Sequence, residues 1–402
     1  MKKLTLIILC LTAVLSGYSQ DPTSWRGPTR DGIYPETGLM KEWPADGPEV
    51  LWSFEGLGKG HSSAIVDNGF VYVTGMINEQ GYLFKFDLKG KLVYKKTYGP
   101  EFAESYVGTR GTPTIVGEKV YLMSGHGKLY CLDGGKGTIL WSKDLFKDFD
   151  GKIIGWGMNE TPVVDGDVVY ITPGGRKYNL VALDRHSGKL IWSSPGKGEL
   201  TAYSTPLLFE HNGRKMLATH YESHLVGFDA STGKMLWSQH QPNEYSVHPN
   251  TPVYRDGMLF YLSGYGRGGG MLKIAPDGNS ASRVWTHKKM DSRMGGAVLV
   301  DGYIYGSGDS RLWCCFDWKS GKEMYTSKDI GNGVVIYADG MLYCYSQRGE
   351  LALVEPDPAG FKVVSKTKVL LGSEQHWAHP VIYGGVLYVR HGKALIAYKV
   401  KS

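Results

Sequence analysis

A corner motif recurs along this chain, in which an aspartate is followed by a glycine four residues later and by an aromatic residue four residues after that. In its clearest copy, Asp184 and Gly188 separate two apolar segments, residues 180–183 and residues 190–192, which ends at Trp192. Aspartate bonds its own backbone in turns, and glycine adopts the positive φ that such corners need. The motif predicts two short antiparallel strands that must stack on other strands to bury their apolar faces.

Further copies have the same order of residues, and each has a second pattern upstream. The copies end at Trp141, Trp237, Tyr325 and, with one residue fewer, Tyr94. The upstream pattern is a Thr-Pro pair, an apolar pair, glycine, an apolar residue and usually tyrosine. It places second strands at Tyr72, Tyr121, Tyr170, Leu217, Tyr261, Tyr305, Tyr343 and Tyr388. A period of roughly 40–50 residues with four strands per unit predicts an all-β, eight-bladed β-propeller of four-stranded antiparallel blades.

The two ends of the repeat region complement each other. Residues 50–54 have the pattern of a fourth strand without the three strands that should precede it. Residues 380–400 supply three strands and then stop before a fourth. We therefore expect the N-terminal strand to close the last blade, which removes the edges that an open ring would expose.

The segments before the ring indicate export from the cytoplasm. Residues 1–19 combine Lys2 and Lys3 with an apolar run and small residues ending at Ser19, as in a secretory signal peptide. Cys10 lacks the small-residue boundary of a lipoprotein, so the predicted product has no lipid anchor and no transmembrane segment. Residues 20–46 are expected to form an irregular extension and residues 47–402 a single propeller domain. The predicted location is the periplasm or the medium.

The charge balance argues against one class of partner. The formal net charge is +6 over 402 residues, with 45 basic and 39 acidic side chains. This near balance does not indicate nucleic-acid binding. We expect a monomer with a protein or glycan partner in the cell envelope.

The corners with their upstream Gly-x-x-Val-Tyr pattern resemble the quinoprotein-type, or PQQ-like, propellers. The opening Trp25-Arg26-Gly27-Pro28 is similar to a secreted bacterial subgroup of that superfamily, which is related in fold to BamB. The resemblance implies that tryptophans of the fourth strands dock neighbouring blades. The matching residues are Trp52, Trp141, Trp192, Trp237 and Trp285. The superfamily contains both dehydrogenases and non-enzymatic scaffolds, so the resemblance predicts the fold more specifically than the function.

The loops at one face of a propeller converge on its axis, and here they are rich in aromatic, arginine, histidine and amide side chains. Such a mixture suits a sugar, a heteroaromatic acid or a peptide. Alternatively, several of these side chains only cap their loops. The predicted ligand-binding residues are His61, Arg110, Trp156, Asn159, Glu160, Tyr203, His248, Asn250, Arg293, His376, Trp377 and His379.

The expected function is a non-catalytic binding or scaffold propeller that recognises a protein, glycan or small ligand at this mouth, without a cofactor. The alternative that the resemblance implies is a PQQ- and calcium-dependent dehydrogenase of alcohols or sugars. Glu160 with Asn159 or Asn250 would then bind calcium. Trp156 or Trp377 would stack on the quinone, and Arg110 or Arg293 would contact its oxygens. Asp309 is a candidate base on loop position alone.

Two smaller motifs predict structure rather than chemistry. Cys314 and Cys315 are adjacent within a strand, where alternation sends side chains to opposite faces, so buried free thiols are expected rather than a disulfide. His376 and His379 lack a third ligand nearby in the sequence, so no metal site is predicted.

Overall fold

The computed structural model describes residues 22–402 and confirms the predicted all-β architecture. Eight blades of four antiparallel strands surround a central axis, and the sheet of one blade has a fifth, parallel strand. The second strand of each blade contains the residue predicted for it. The expected signal peptide, residues 1–19, lies outside the described residues. Within residues 22–402, no helix is long and apolar enough to cross a membrane.

The strands follow the chain from blade to blade. Strands β1 (Ile33–Tyr34) and β2 (Val50–Phe54) precede the ring. Blade 1 contains β3 (Ile65–Asp67), β4 (Phe70–Ile77), β5 (Gln80–Asp87) and β6 (Leu92–Pro100). Blade 2 contains β7 (Thr114–Val116), β8 (Lys119–Met123), β9 (Lys128–Asp133) and β10 (Ile139–Asp144), followed by the short helix α1 (Leu145–Asp148). Blade 3 contains β11 (Val163–Asp165), β12 (Val168–Ile171), β13 (Leu180–Asp184) and β14 (Leu190–Ser194). Blade 4 contains β15 (Leu207–His211), β16 (Arg214–His220), β17 (His224–Asp229) and β18 (Met235–His240).

The second half of the ring repeats this arrangement. Blade 5 contains β19 (Val253–Arg255), β20 (Met258–Leu262), β21 (Gly269–Ile274) and β22 (Ala281–His287). Blade 6 contains β23 (Ala297–Val300), β24 (Tyr303–Gly308), β25 (Leu312–Asp317) and β26 (Glu323–Ser327). Blade 7 contains β27 (Gly333–Ala338), β28 (Met341–Ser346), β29 (Glu350–Glu355) and β30 (Lys362–Lys368). Blade 8 contains β31 (Val381–Tyr383), β32 (Val386–His391) and β33 (Ala394–Lys399).

Strand β2 supplies the missing fourth strand of blade 8, as predicted. It pairs antiparallel with β33, with Trp52 opposite Ala397 and Phe54 opposite Leu395. The sheet order is β2-β33-β32-β31. Every blade therefore has four strands, and the ring closes through backbone hydrogen bonds between the two ends of the chain.

A β-bulge interrupts the pairing of the third and fourth strands in every blade. In blade 3 the register shifts between Ala182 and Leu183, and in blade 4 it shifts between Gly227 and Phe228. The other six blades show the shift at the corresponding position. A bulge bends its strand and re-aims the neighbouring side chain. In seven blades that side chain is the aromatic residue of the fourth strand, whereas blade 7 has Ser365 at this position, opposite Leu353.

The predicted docking tryptophans lie at the boundaries between blades. Trp52 Nε1 donates to Leu88 O at 3.0 Å, and Trp141 Nε1 donates to Arg185 O at 3.0 Å, in each case a carbonyl of the following blade. Trp192 and Trp285 pack in clusters that also join two blades. Trp237 belongs to such a cluster as well, but its indole nitrogen has no partner among the described residues.

The segment before the ring crosses the axial channel. Thr23 bridges to Ile115 of blade 2, and Arg26 Nη2 donates to Ala297 O of blade 6 at 2.6 Å. Arg30 Nη2 donates to Val164 O of blade 3 at 3.1 Å, and β1 pairs in parallel with β27 of blade 7. Because these partners are innermost strands on different sides of the ring, residues 23–34 fill the channel between them.

The described cysteines are free and buried, as predicted. Cys314 packs in the cluster between blades 5 and 6, whereas Cys315 packs in the cluster between blades 6 and 7. Burial raises the pKa of each thiol to about 12. Strand alternation therefore separates these neighbours onto opposite faces of their blade.

Candidate functional site

An axial cavity of about 490 Å³ opens at the face where the chain enters the innermost strands. The loops that enter these strands line it in every blade except the seventh, which contributes Gln347 from the loop between its second and third strands. This size suits part of a larger partner or a small ligand of one or two rings.

Five aromatic side chains form an arc around the cavity, which we call the aromatic arc. Tyr106 lies between Trp377 and Trp156, with ring centroids 5.1 Å and 6.2 Å away. Trp156 is 6.1 Å from Tyr245, which is 4.8 Å from Tyr265. Tyr106 is 52% exposed and Tyr245 is 41% exposed, so the arc presents solvent-exposed apolar surface at the cavity mouth.

Three tyrosines that line the cavity have a left-handed backbone. The φ angles are 40° at Tyr106, 70° at Tyr203 and 59° at Tyr265. A bulky residue in this region is uncommon and costs about 1–2 kcal/mol. Such strain concentrates at binding and catalytic sites, where the side chain is needed in a place that a relaxed backbone would not reach.

Arg110 forms one wall and is almost fully buried. Its Nε donates to the Tyr203 hydroxyl at 2.6 Å, and that hydroxyl donates to Trp156 O at 3.0 Å. Its other nitrogens donate to the backbone carbonyls of Gly108 and Ser105. The guanidinium is thus held rigidly by neutral groups, and its charge is not cancelled by a bonded carboxylate.

Arg293 forms the opposite wall and is about half exposed. Asp309 Oδ2 lies 2.9 Å from Arg293 Nε, and the guanidinium carbon lies 5.5 Å from the Tyr265 ring centroid. Burial raises the pKa of Asp309, although the neighbouring Arg293 opposes this shift. Asp309 itself does not line the cavity, so it acts on the site by holding Arg293.

The floor of the cavity joins distant parts of the chain. Trp25, from the segment in the axial channel, packs edge-on against His379 with ring centroids 4.9 Å apart. His379 is 3% exposed, and its Nε2 lies 3.2 Å from Met294 O. His61 stands 5.0 Å from Trp377, and neither of its ring nitrogens has a partner among the described residues. Burial, reinforced by Arg390 and Arg110, lowers the pKa of His61 to about 3, so this imidazole is neutral.

Eight of the twelve predicted ligand-binding residues line the cavity. They are His61, Arg110, Trp156, Asn159, Tyr203, Arg293, Trp377 and His379. The other four, Glu160, His248, Asn250 and His376, do not line it.

Glu160 is turned into blade 3 instead of toward the cavity. Its Oε2 accepts from Thr172 Oγ1 at 2.6 Å, and both carboxyl oxygens accept from Thr172 N. The side chain is 2% exposed, and burial raises its pKa to about 8 despite these hydrogen bonds. It joins two segments of its blade as a largely neutral acid.

The remaining three predicted residues support loops. His248 contacts Ser263 Oγ at 3.0 Å and stacks on His220 with ring centroids 4.7 Å apart. Asn250 donates to Ser292 O at 2.7 Å. His376 stacks on His391 with ring centroids 3.6 Å apart.

Sequence reasoning missed Trp25 and several small lining residues. Trp25 lies in a segment without strand periodicity, so no pattern directed it to the cavity. The small residues belong to the Thr-Pro and Ser positions at the starts of the innermost strands and could have been found from that position alone. They are Ser63, Thr112, Thr161 and Thr205.

The lining does not fit a calcium-bound quinone. Calcium requires several oxygen ligands with carboxylates among them, whereas the described residues that line the cavity include no aspartate or glutamate. Glu160 is engaged by Thr172, and Asp309 lies against Arg293. No group of three acidic, histidine or cysteine side chains within residues 22–402 is arranged to hold a metal ion.

Comparison of the sequence with known families gives one family match. Residues 85–327, which exceed half of the chain, match the family model described as outer membrane protein assembly factor BamB. The chain is also similar to the outer membrane protein assembly factor BamB of Kangiella koreensis, with 24% identity over 213 residues. That alignment covers 52% of this chain, and the chain spans about half, 49%, of that relative.

Solved structures share the fold at low sequence identity. BamB from Moraxella catarrhalis has a TM-score of 0.60 and 12% identity, over 85% of this chain and 99% of that one. Quinohemoprotein alcohol dehydrogenase from Comamonas testosteroni has a TM-score of 0.67 and 12% identity, over 93% of this chain and 79% of that one. Both likenesses concern the propeller fold alone and do not identify the chemistry of the axial cavity.

Proposed function

We propose that this chain, which belongs to the family described as outer membrane protein assembly factor BamB, is a non-catalytic binding propeller of the cell envelope that holds its partner at the axial cavity. The signal peptide expected at residues 1–19 would place it outside the cytoplasm, in the periplasm or the medium. The partner is a protein or a glycan of that compartment.

The aromatic arc is the observation that carries this proposal. Tyr106 and Tyr245 are exposed at the mouth, and Tyr106, Tyr203 and Tyr265 are held in strained backbone. Rigid aromatic side chains supply large contact areas at a small entropic cost, which is typical of binding surfaces. The cavity has no lining carboxylate among the described residues, so a general acid or base of that kind is not at hand.

Site-specific photocrosslinking tests this function directly. A photoreactive phenylalanine analogue would replace Tyr106 at the mouth or, as a matched control, Tyr383 on the turn at the opposite face, which is 39% exposed. We expect irradiation of the envelope to yield a high-mass adduct at Tyr106 and none at Tyr383. Adding Trp377→Ala to the Tyr106 variant should abolish the adduct, because it removes the neighbouring plane of the arc.

Two outcomes would contradict the binding site. Equal adducts at the two positions would indicate random proximity, and an adduct at Tyr383 alone would move the site to the opposite face. The Trp377→Ala protein must keep the melting temperature of the parent, so that a lost adduct reports binding.

A PQQ- and calcium-dependent dehydrogenase of alcohols or sugars is the alternative, and Asp309 is the feature that favours it. Burial raises the pKa of this carboxyl group, and Arg293 lies beside it. Purified protein mixed with calcium and PQQ would be followed by thermal shift and by dye reduction with alcohols and sugars. We expect no dye reduction. Dye reduction by the parent protein that disappears in the Asp309→Asn variant would contradict the binding function and show that the protein is an enzyme.

A further inference from the structure

The cavity is surrounded by buried positive charge. Arg26 lies under the floor and is 2% exposed, with Nη2 donating to Asp31 O and Ala297 O and Nη1 without a partner among the described residues. A Cβ on Gly296 would lie 1.7 Å from Arg26 Nη1 and 2.8 Å from His379 Cε1. Arg26 and His379 therefore meet over this glycine, directly beneath the cavity.

A second buried arginine lies beside His61. Arg390 is 1% exposed and donates to the carbonyls of Gly392, Ser62 and Thr74, while its Nη2 has no partner in residues 22–402. Neither Arg26 nor Arg390 forms an ion pair with a described carboxylate. A buried cation without a counter-charge raises the local potential, because no opposite charge or water screens it.

One wall adds to this positive potential, and the other offers free hydrogen-bond donors. Arg110 is held only by neutral oxygens, and Arg293 is paired with Asp309 through Nε, which leaves its two terminal nitrogens for another group. Two further buried carboxyl groups are already engaged: Glu101 accepts from the Tyr98 hydroxyl at 2.7 Å, and Asp291 accepts from Gly266 N and Gly268 N. A cavity lined in this way favours an anion.

The uncharged lining residues indicate which type of molecule bears this negative charge. Asn159 and Gln347 offer amides, and the small lining residues offer hydroxyls, next to the flat faces of the aromatic arc. His61 and His379 each have a ring nitrogen without a partner among the described residues. In a neutral imidazole one ring nitrogen donates a hydrogen bond and the other accepts one, so these histidines can pair with the hydroxyl groups of a ligand, which both donate and accept. Hydroxyls, a flat apolar face and one negative charge occur together in a sugar acid.

Building on the proposed function, we propose that the group entering the axial cavity is a carboxylate-bearing sugar. Its ring packs against the aromatic arc, and its hydroxyls meet the amides and imidazoles. Its carboxylate is held by the Arg293 fork, since a planar guanidinium matches a carboxylate with two parallel hydrogen bonds. Trp25, supplied by the segment in the axial channel, limits how deep the sugar can enter.

Calorimetric titration of the purified full chain tests this ligand class. The probes are oligosaccharides of galacturonate, glucuronate and mannuronate, each with its uncharged methyl ester as the matched control. N-acetyltryptophan and PQQ serve as carboxylates without a sugar ring. We expect at least one uronate to bind, with its ester about 10-fold or more weaker.

Variants assign the roles within the site. Arg293→Gln should weaken the uronate about 10-fold and leave the ester unchanged, with Arg293→Lys in between. Trp377→Ala should weaken both forms. Lys234→Gln, on the opposite face, should change neither.

Three results would overturn the proposal: no uronate binds, the ester binds as tightly as its acid, or N-acetyltryptophan or PQQ is the tightest ligand. A Tyr106 photoadduct that persists in any of these cases would keep the binding function and remove only the sugar acid. Absence of both uronate binding and the Tyr106 photoadduct would contradict both the sugar-acid ligand and the binding function.

Discussion

Gly233 lies against the indole of Trp192, which belongs to the preceding blade. A Cβ on Gly233 would come within 2.5 Å of Trp192 Cε3, and the φ of Gly233 is +73°. The same relation joins Gly90 to Trp52, Gly188 to Trp141, and Gly321 to Trp285. The glycine of the corner is therefore required twice, once by the turn and once by the aromatic ring of the neighbouring blade.

Gly233→Ala should destabilise the protein by about 2–4 kcal/mol, because the added methyl group both strains the backbone and meets the Trp192 ring. Gly213→Ala is the matched control: Gly213 has a φ of +80° with no atom near the added carbon, so only the backbone cost of about 1–2 kcal/mol remains. Urea unfolding gives both values. In a Trp192→Ala background the two substitutions should cost the same, and equal costs in the parent protein would show that the contact does not matter.

Lys85→Met should cost about 1–3 kcal/mol. Lys85 Nζ lies 3.8 Å from the Phe70 ring centroid and donates to Gly134 O at 2.9 Å, in a buried position between blades 1 and 2. Lys95→Met is the control, since Lys95 Nζ lies over Tyr82 at 4.4 Å on the exposed outer strand. It should change stability by less than about 0.5 kcal/mol, because the exposed cation stays hydrated. Similar costs for the two would mean that burial does not strengthen the Lys85 contact.

Glu160 should make stability fall as the pH rises. The folded state holds its proton with a pKa of about 8, whereas the ordinary value is 4.5. Its contribution is complete below about pH 4.5 and is lost as the pH rises to 8. Relative to Glu160→Gln, the parent should lose about 2–4 kcal/mol between pH 5 and pH 8.5 in urea unfolding. A constant difference across this range would show that Glu160 titrates normally.

His220 should make stability fall at acid pH, the opposite direction. It is fully buried between His248 and Tyr261, and burial holds its pKa well below 6.5. Its contribution is present above pH 6.5 and is lost as the pH falls, because the unfolded chain binds the proton first. His220→Phe should therefore lose less stability than the parent between pH 7 and pH 4.5, by about 1–3 kcal/mol. His240→Phe, at an exposed histidine, should follow the parent curve, and a parallel curve for His220→Phe would contradict the assignment.

The fold was predictable because its signals are local. Asp184, Gly188 and Trp192 lie within nine consecutive residues, and their recurrence counts the blades without any knowledge of distant contacts. Residues 50–54 could be assigned to the last blade because they form the one strand without a blade, and the last blade is the one that lacks a strand. The bulge beside each corner aromatic was not predicted, because it depends on how the fourth strand meets its neighbour.

The site was predictable only in part because loop position does not determine side-chain direction. Asn159 and Glu160 are adjacent in one loop, yet Asn159 lines the cavity and Glu160 turns to Thr172. His376 and His379 divide in the same way. Trp25 reaches the cavity by a path across the axial channel, and its contact with His379 joins the two ends of the chain. No spacing rule reports such a contact.

The pairing of β2 with β33 determines when this protein can finish folding. Gly384 N donates to Glu36, 348 residues away in the chain, and β2 pairs with a strand that is synthesised much later than β2 itself. Contacts between such distant residues form late, because closing a long loop costs conformational entropy before the contacts can stabilise the fold. A polypeptide that ends before residue 386 has no second strand in blade 8 and leaves two neighbouring edges bare. Bare edges attract proteases and other strands. The ring therefore closes only in a chain that contains both β2 and β33.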